Sequence, residues 1–433
     1  MVWEIVAGLA FFALIMVSVG LHELGHFIPS KLFGVKVRQF FLGFGPNLWK
    51  TQRGETEYGV KAFPLGGYCA IVGMLPPYKE GKDTRLKRFA DNIREADWQF
   101  ITDADVAGHR LFYQQSFPKR LLIMAGGVGI NLVLAFALFL GVNLTYGKYD
   151  YDLRTTTVGA VYGCPEQAVG PCEQTPAQAM GLQVGDAIVA FNGVRYATYE
   201  ELTAAVRANV ETAADGTVTA AKADTVTVNR PGVGEVTLPT VPGLLVTVET
   251  TDEPPVSVTY AYLGLTYQYA RVHPGPWATL KQMGSLTWIS LQAIAKLPVS
   301  AWDTVTDLIT GTPRDESGVM SVVGASRIAG EVAATDQLDA SSKWALYISL
   351  LASINLFVGL LNLVPLLPFD GGHVAAGLYG VIRSRWAKLR GKADPGPVDA
   401  AKLQPIAYIV GGFLIVLGAI LILADVIAPI TLF

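Results

Sequence analysis

Four long apolar stretches constrain this chain more than any other feature of its sequence. They cover residues 5–21, 121–146, 344–369 and 405–433, and each approaches or exceeds the roughly 20 residues that a helix needs to cross the hydrocarbon core of a bilayer. Charged residues make up only 16% of the chain, whereas about 25% is usual in soluble domains. The sequence therefore predicts an α-helical polytopic membrane protein with four transmembrane helices in a lipid bilayer.

The first stretch has a signal peptide as its alternative, but it lacks a basic leading region and runs directly into His22. We interpret it as a retained helix. Residues 29–120 contain 15 of the 33 Lys and Arg and residues 373–404 contain 6, whereas the longer segment 147–343 holds 12. Because Lys and Arg favour cytoplasmic loops, both termini and residues 147–343 are predicted outside the cytoplasm, with the chain in the cytoplasmic (inner) membrane. The net charge of -3 argues against a nucleic-acid partner.

Residues 35–74 combine β-branched and aromatic runs with glycine-rich breaks. The breaks fall at residues 43–46, 53–54 and 64–67, where turns are expected between short strands. The segment is too apolar for a solvated loop. Residues 76–118 are polar and charged, which is typical of a cytoplasmic excursion with an amphipathic helix.

One segment of the predicted outer region has the pattern of a small globular domain. Residues 175–207 read TPAQAMGLQVGDAIVAFNGVRYATYEELTAAVR. They combine a Gly-Leu-x-x-Gly-Asp turn, an Asn-Gly turn signal, and a helix that begins at Thr198 with Glu201 three residues later. The segment resembles an α/β PDZ domain, placed at residues 150–256, and any other small α/β domain is the alternative.

Two of the three cysteines also fall in this outer region. Cys164 and Cys172 are eight positions apart, and a single disulfide between them is plausible in an oxidising compartment. Two unpaired thiols are the alternative.

The motif HELGH, from His22 to His26, continues the first apolar stretch. Histidines four residues apart project from the same helix face, so both imidazoles can reach one metal ion. Glu23 then stands beside the first ligand, where a general base is needed. Zinc is favoured because it accepts imidazole and carboxylate ligands with one position left open. A pair of structural histidines is the alternative, but ionisable residues inside a span are costly and usually functional.

A third protein ligand is expected at the end of the third apolar stretch, in the sequence NLVPLLPFDGGH. Asp370 is the only acid near a long uncharged run, and an unpaired carboxylate at that depth is expensive. Pro365 and Pro368 interrupt the helix and the two glycines after Asp370 permit close backbone approach, so the segment can bend towards the metal. A helix cap is the alternative role for Asp370.

These motifs in this order resemble the bacterial site-2 protease family, in the PDZ-containing branch that degrades anti-sigma factors. The resemblance covers essentially the whole chain. It implies one Zn²⁺ per chain held by His22, His26 and Asp370, with Glu23 as the catalytic base. It also implies that the β segment at residues 35–74 is a membrane re-entrant region, within the part 29–118 that ends in a cytoplasmic loop.

The resemblance further assigns a set of residues to substrate binding. These are Asn362, Asn131, Gly43, Phe44 and Gly45. Two positions depart from the family pattern: Phe369 replaces a leucine, and Gly127 stands where a proline is usual before Asn131.

The resemblance and the segment patterns together divide the chain into eight parts. They are the first transmembrane helix with the zinc motif (1–28), the re-entrant β region and cytoplasmic loop (29–118), the second transmembrane helix (119–146), the PDZ domain (150–256), amphipathic helices (257–343), the third transmembrane helix with the Asp-Gly motif (344–372), a cytoplasmic loop (373–402) and the fourth transmembrane helix (403–433).

The resemblance implies a zinc metalloendopeptidase that hydrolyses transmembrane segments of single-span membrane proteins, with its active site towards the cytoplasmic side. Anti-sigma factors or signal-peptide remnants are the expected substrates. The PDZ domain is expected either to exclude bulky ectodomains or to bind a peptide C-terminus. A non-catalytic membrane PDZ scaffold is the principal alternative. A transporter should show repeat symmetry that is not evident, and another type of membrane zinc protease usually takes a glutamate as third ligand.

Overall fold

The structure of the chain, a computed structural model, describes residues 2–77, 84–249, 257–312, 314, 318–396 and 398–430. The chain separates into two compact units. The helical unit comprises Met1–Tyr146 and Pro274–Phe433, and the inserted unit is Gly147–His273.

The secondary structure is numbered along the chain. The helices are α1 (Val2–Leu32), α2 (Arg85–Trp98), α3 (Asp103–Ala107), α4 (Phe117–Thr145), α5 (Pro176–Ala179), α6 (Tyr199–Arg207), α7 (Pro276–Thr310), α8 (Val322–Ala334), α9 (Ala340–Asn362), α10 (Asp370–Leu389) and α11 (Gln404–Ile427). The strands are β1 (Val37–Arg53), β2 (Thr56–Ile71), β3 (Lys148–Val161), β4 (Ala187–Phe191), β5 (Val194–Arg195), β6 (Val210–Thr212), β7 (Val218–Ala221), β8 (Val226–Arg230), β9 (Gly234–Thr237), β10 (Leu244–Glu249), β11 (Ser257–Tyr262) and β12 (Leu265–Val272).

Four helices in the described part of the chain are long and apolar enough to cross a membrane: α1, α4, α9 and the helix that includes α11. This agrees with the four apolar stretches in the sequence. Helices suit a bilayer because their backbone polar groups bond within the segment itself.

The third and fourth predicted segments need correction. Residues 344–372 are not one helix, because α9 ends at Asn362 and Asp370 begins α10. Residues 373–402 are not simply a loop either, since α10 continues to Leu389. The interruption predicted from the prolines is present, and the Leu367–Pro368 peptide bond within it is cis.

Helices α1 and α9 pack through both apolar and polar contacts. The rings of Phe11 and Tyr347 meet edge to face with centroids 5.0 Å apart, and the Tyr347 hydroxyl donates to the carbonyl of Ala7 at 2.9 Å. Further along the two helices, the Asn355 amide donates to the Ser18 hydroxyl at 3.2 Å. These buried polar groups between the two helices are thus hydrogen-bonded, as an apolar environment requires.

Strands β1 and β2 pair with a register shifted by bulges. Residues 39–42 pair with residues 67–70 on one side and with residues 57–60 on the other. The prediction of separate short strands is therefore wrong in its boundaries, because the glycine-rich breaks at 43–46 and 64–67 bend two long strands without ending them. The predicted turn after Arg53 is confirmed, since β1 and β2 join there.

The inserted unit is an α/β fold built on one main sheet. Its strand order is β12-β3-β4-β8-β9, with β5 beside β4. Val158, Ile188, Leu202, Val226 and Val228 form the centre of its core, each at most 1% exposed. These positions come from β3, β4, α6 and β8, so the helix covers the sheet.

Local features of the inserted unit follow the sequence pattern. The Thr198 hydroxyl accepts the backbone N–H of Glu201 at 3.3 Å and so caps α6. Asn192 has a positive φ of 47°, and it begins the turn between β4 and β5. Cys164 and Cys172 form a disulfide.

The end of the inserted unit lies beyond the predicted boundary at residue 256. Residues 257–262 and 265–272 were expected to belong to amphipathic helices, but they form β11 and β12. Strand β12 pairs with β3 from Leu265 opposite Val161 to Val272 opposite Lys148, and it forms one edge of the sheet. The predicted amphipathic helix begins only at Pro276, as α7.

Candidate active site

His22 and His26 lie one turn apart on α1, which continues without interruption from Val2 to Leu32. Both residues are buried, with exposed fractions of 8% and 5%. Their Nε2 atoms are 3.3 Å apart. The spacing of the motif therefore brings the two ring nitrogens to one point, as a shared metal ion requires.

Asp370 reaches these histidines from the turn between α9 and α10. It is the first residue of α10, and its position depends on the two glycines that follow. A Cβ on Gly371 would lie 2.3 Å from the carbonyl oxygen of Leu363, and one on Gly372 would lie 2.6 Å from the backbone nitrogen of Leu367. Both distances are far below van der Waals contact, so the turn closes only with glycine at these positions.

The three side chains present one ligand atom each to a common point. The Asp370 Oδ2 atom lies 3.4 Å from His22 Nε2 and 3.2 Å from His26 Nε2. Zinc bonds of about 2.0–2.1 Å in a tetrahedral arrangement place neighbouring ligand atoms about 3.4 Å apart. The same Asp370 oxygen is buried without a hydrogen-bond partner among the described residues. The site therefore fits a zinc ion, which would satisfy this oxygen and both nitrogens.

A hydrogen bond on the side of the ring away from Asp370 fixes the orientation of His26. Its Nδ1 atom lies 2.8 Å from the carbonyl oxygen of Ile123 on α4. A carbonyl can only accept, so Nδ1 carries the proton and Nε2 keeps the lone pair that a metal needs.

Glycines on α4 make room for the two imidazole rings. A Cβ on Gly127 would lie 2.4 Å from His26 Nε2 and 2.8 Å from His22 Cε1. At the preceding residue, a Cβ on Gly126 would lie 2.0 Å from the carbonyl oxygen of Gly25, inside the HELGH motif itself. Sequence analysis noted Gly127 only as a departure from the family pattern. Its role depends on a contact between helices that the sequence does not display.

Glu23 lies in the cavity wall against the β2 strand. A Cβ on Gly67 would lie 3.1 Å from Glu23 Cγ, and Cys69 lines the same wall. The strand therefore packs directly against the carboxylate-bearing side chain. Glu23 also follows His22, one of the three candidate metal ligands, in the sequence.

Two of the predicted substrate-binding residues line the same cavity, which has a volume of about 420 Å³. The Asn362 side-chain nitrogen lies 3.5 Å from His22 Nε2. Asn131 is 2% exposed, and its Oδ1 atom has no hydrogen-bond partner among the described residues. Asn355 also lines the cavity, and sequence analysis missed it, although an amide inside an apolar span is itself a signal.

The remaining predicted substrate-binding residues lie elsewhere. Gly43, Phe44 and Gly45, all within the described residues, are not part of the cavity wall. The Phe44 ring stacks on Tyr68 at 6.1 Å, and Tyr68 does line the cavity. A direct substrate contact by these three residues stays a prediction.

Comparison with known proteins gives a consistent result over nearly the whole chain. The family model described as "Peptidase family M50" matches residues 10–393. "Zinc metalloprotease Rip1" of Mycobacterium tuberculosis is 35% identical over 99% of both chains, and the protein of that name from Mycolicibacterium smegmatis is 33% identical over 98% of both. "Metalloprotease MmpA" of Caulobacter vibrioides is 27% identical over 85% of both.

Proposed function

This chain belongs to peptidase family M50, and from that premise we propose that it is a zinc metalloprotease that hydrolyses peptide bonds in the transmembrane segments of single-span membrane proteins. The resemblance to site-2 proteases predicted from the motifs is confirmed by the family match. The observation that carries the proposal is the convergence of His22, His26 and Asp370 within a buried cavity between apolar helices.

The roles of the individual side chains follow from their positions. His22, His26 and Asp370 would hold the zinc ion, which when bound supplies a Lewis acid that polarises the scissile carbonyl and activates water near neutral pH. Glu23 accepts the proton that water loses and delivers it to the leaving nitrogen. The β2 strand packs against Glu23 at Gly67 and limits its movement during both transfers.

A membrane-spanning substrate must expose its backbone before it can be cut. The carbonyls of a helix are occupied by the hydrogen bonds of the helix, so the scissile segment has to unwind. Residues 67–71 of β2 pair with β1 on one side and face the cavity on the other, where an extended substrate can add as a further strand. Asn362 and Asn131 lie where they can bond to freed backbone groups.

We assign the inserted unit the fold and role of a PDZ domain. The capped α6, the Asn-Gly turn and the main sheet with β12 at its edge support this assignment. Such a domain either screens out substrates with bulky ectodomains or binds a C-terminus that an earlier cut exposes. With the distribution of Lys and Arg, the proposal places both termini and the inserted unit outside the cytoplasm and the metal site towards the cytoplasmic side of the inner membrane.

The test compares the membrane proteomes of cells that carry the wild-type chain and cells that carry Glu23→Gln. The substitution removes the base and keeps all three metal ligands. Truncated single-span proteins, including anti-sigma factors or signal-peptide remnants, should accumulate only with Glu23→Gln. Glu4→Gln at the other end of α1 is the matched control and should behave as wild type. An unchanged proteome, with single-span helices left uncut by the purified wild-type chain, would favour a non-catalytic scaffold.

A further inference from the structure

A second cavity lies beside the metal cavity in the helical unit. Its volume is about 400 Å³, within the range of about 300–1,000 Å³ that small ligands occupy. Two residues, Met74 and His373, line both cavities. The two cavities are therefore adjacent, with these two side chains between them.

One wall of the second cavity is the glycine-bearing face of α10. A Cβ on Gly377 would lie 3.2 Å from the Phe117 ring, and one on Gly380 would lie 3.1 Å from Val398. Any larger residue at these positions would press on the opposite walls. The absence of side chains at these two glycines therefore leaves room for the Phe117 and Val398 side chains.

The charge in this cavity is predominantly positive. Arg120, on the first turns of α4, lines it and is half-buried. Its Nε atom is buried without a hydrogen-bond partner, and no ion pair holds the guanidinium in the described part of the chain. An unpaired guanidinium in such surroundings is costly unless an anion joins it.

The other charged residues of the cavity do not neutralise Arg120. Arg385 adds a second guanidinium to the wall. Asp394 is the acid in the wall, and its Oδ1 atom accepts from the Ser384 hydroxyl at 2.8 Å and from the Gly396 N–H at 2.9 Å. The two guanidinium groups outnumber this one carboxylate, so the wall carries a net positive charge.

We propose that this cavity binds the new C-terminal carboxylate of the amino-terminal cleavage product, with Arg120 as its cationic partner. The inference rests on the proposed peptide hydrolysis. That reaction breaks the C–N bond, adds the oxygen of water to the carbonyl carbon and leaves both protons of that water on the nitrogen, so it yields one carboxylate and one protonated amine. A guanidinium binds a carboxylate through two parallel hydrogen bonds and does not bind an amine, so the site selects one of the two products.

The test measures peptide binding without turnover, in the full-length chain carrying Glu23→Gln in detergent. The probe is a fluorescent pentapeptide of alanine and leucine, used with a free C-terminal carboxylate and as the C-terminal amide. The free acid should bind about tenfold more tightly than the amide, because a charge-assisted pair replaces a neutral contact. Addition of Arg120→Gln should remove that preference, whereas Arg120→Lys should retain most of it.

Further arms separate the possible origins of the effect. Lys119→Gln removes a neighbouring charge outside the cavity wall and should leave the preference unchanged. An amidated peptide that ends in glutamate should bind no better than one that ends in glutamine, since the proposal concerns the new C-terminus. Equal binding of acid and amide would overturn the proposal. A preference for the acid that persists in Arg120→Gln would also overturn it, because the carboxylate would then bind the metal. Binding of the glutamate side chain that depends on Arg120 would overturn it as well. Because no turnover is needed, failure here is distinct from failure of hydrolysis, which is measured separately on the wild-type chain.

Discussion

The helical unit and the inserted unit are stabilised in different ways. In the helical unit, the backbones of α1 and α4 approach each other at Gly25 and Gly126, and the start of α10 closes on the preceding turn at Gly371 and Gly372. In the inserted unit, a side-chain core lies between a sheet and a helix, and polar contacts such as Arg230–Asp186 add to it. The proposed chemistry therefore depends on backbone spacing, whereas the inserted unit depends on ordinary core packing. Substitutions should therefore affect zinc binding and the stability of the inserted unit separately.

The largest effect is expected from removal of the third ligand. Asp370→Ala should reduce bound zinc from about one ion per chain to nearly none and abolish hydrolysis, because two imidazoles alone make a weak site. Metal analysis of the purified chain gives the readout. The control Asp303→Ala removes an exposed acid from α7 and should keep zinc and activity. Full zinc occupancy in Asp370→Ala would contradict the assignment of Asp370 as the third zinc ligand.

A smaller but more specific effect is expected from one added methyl group. Gly127→Ala places a carbon against both imidazole rings, so zinc affinity and hydrolysis should fall by about 10–100-fold, as when a supporting contact of a metal site is lost. Gly129→Ala on the same helix meets no atom within 4 Å and should be close to wild type. Zinc titration of the two variants decides the point. Equal affinities would mean that backbone spacing does not control the site.

In the inserted unit, the largest expected change concerns Asp186. Its side chain is 1% exposed and accepts from Arg230 at 2.7 and 2.8 Å. Arg230→Gln leaves a buried carboxylate without its cation and should lower the local unfolding free energy by about 3–5 kcal/mol. Hydrogen exchange of the β4 and β8 amides in the full-length chain measures this, and zinc content should not change.

The exposed pair Arg195–Glu235 provides the control for that experiment. Its side chains are 67% and 50% exposed, so Arg195→Gln should cost less than about 1 kcal/mol of unfolding free energy.

The hydrogen bond from Arg230 lowers the pKa of Asp186 in the folded state. The contribution of the Arg230–Asp186 pair to the unfolding free energy is therefore present above about pH 4 and lost as the pH falls further. Similar exchange rates in Arg230→Gln and Arg195→Gln would contradict the assignment.

A smaller effect than that of Arg230→Gln is expected from a pH dependence at Asp224. Burial raises its pKa to about 6, although Asn209 donates a hydrogen bond to it. The folded state then keeps a proton that the unfolded chain has released, so the unfolding free energy should fall by about 2–3 kcal/mol between pH 4 and pH 6 and stay level above that. Asp224→Asn should remove this slope in hydrogen exchange of β8. A slope of the opposite sign would show that the carboxylate is charged when folded.

The sequence predicted the features that depend on spacing along one segment. The histidines of α1, the acid after the proline-interrupted third stretch, the four apolar helices and the cap at Thr198 are all of this kind. It did not predict Gly127, Gly126 or the second cavity, because these depend on distances between helices far apart in the sequence. The carboxyl-terminal strands of the inserted unit were missed although Tyr and Val alternate there, since the domain boundary was placed before them.

The most direct test of the central claim pairs zinc content with hydrolysis of a single-span substrate by the purified full-length chain and its Glu23→Gln variant. The account predicts about one zinc ion per chain in both proteins and a loss of hydrolysis of about 10²–10⁴-fold in the variant, because only the general base has been removed. Undiminished hydrolysis in Glu23→Gln with zinc bound would contradict the assignment of Glu23 and of the reaction built around it.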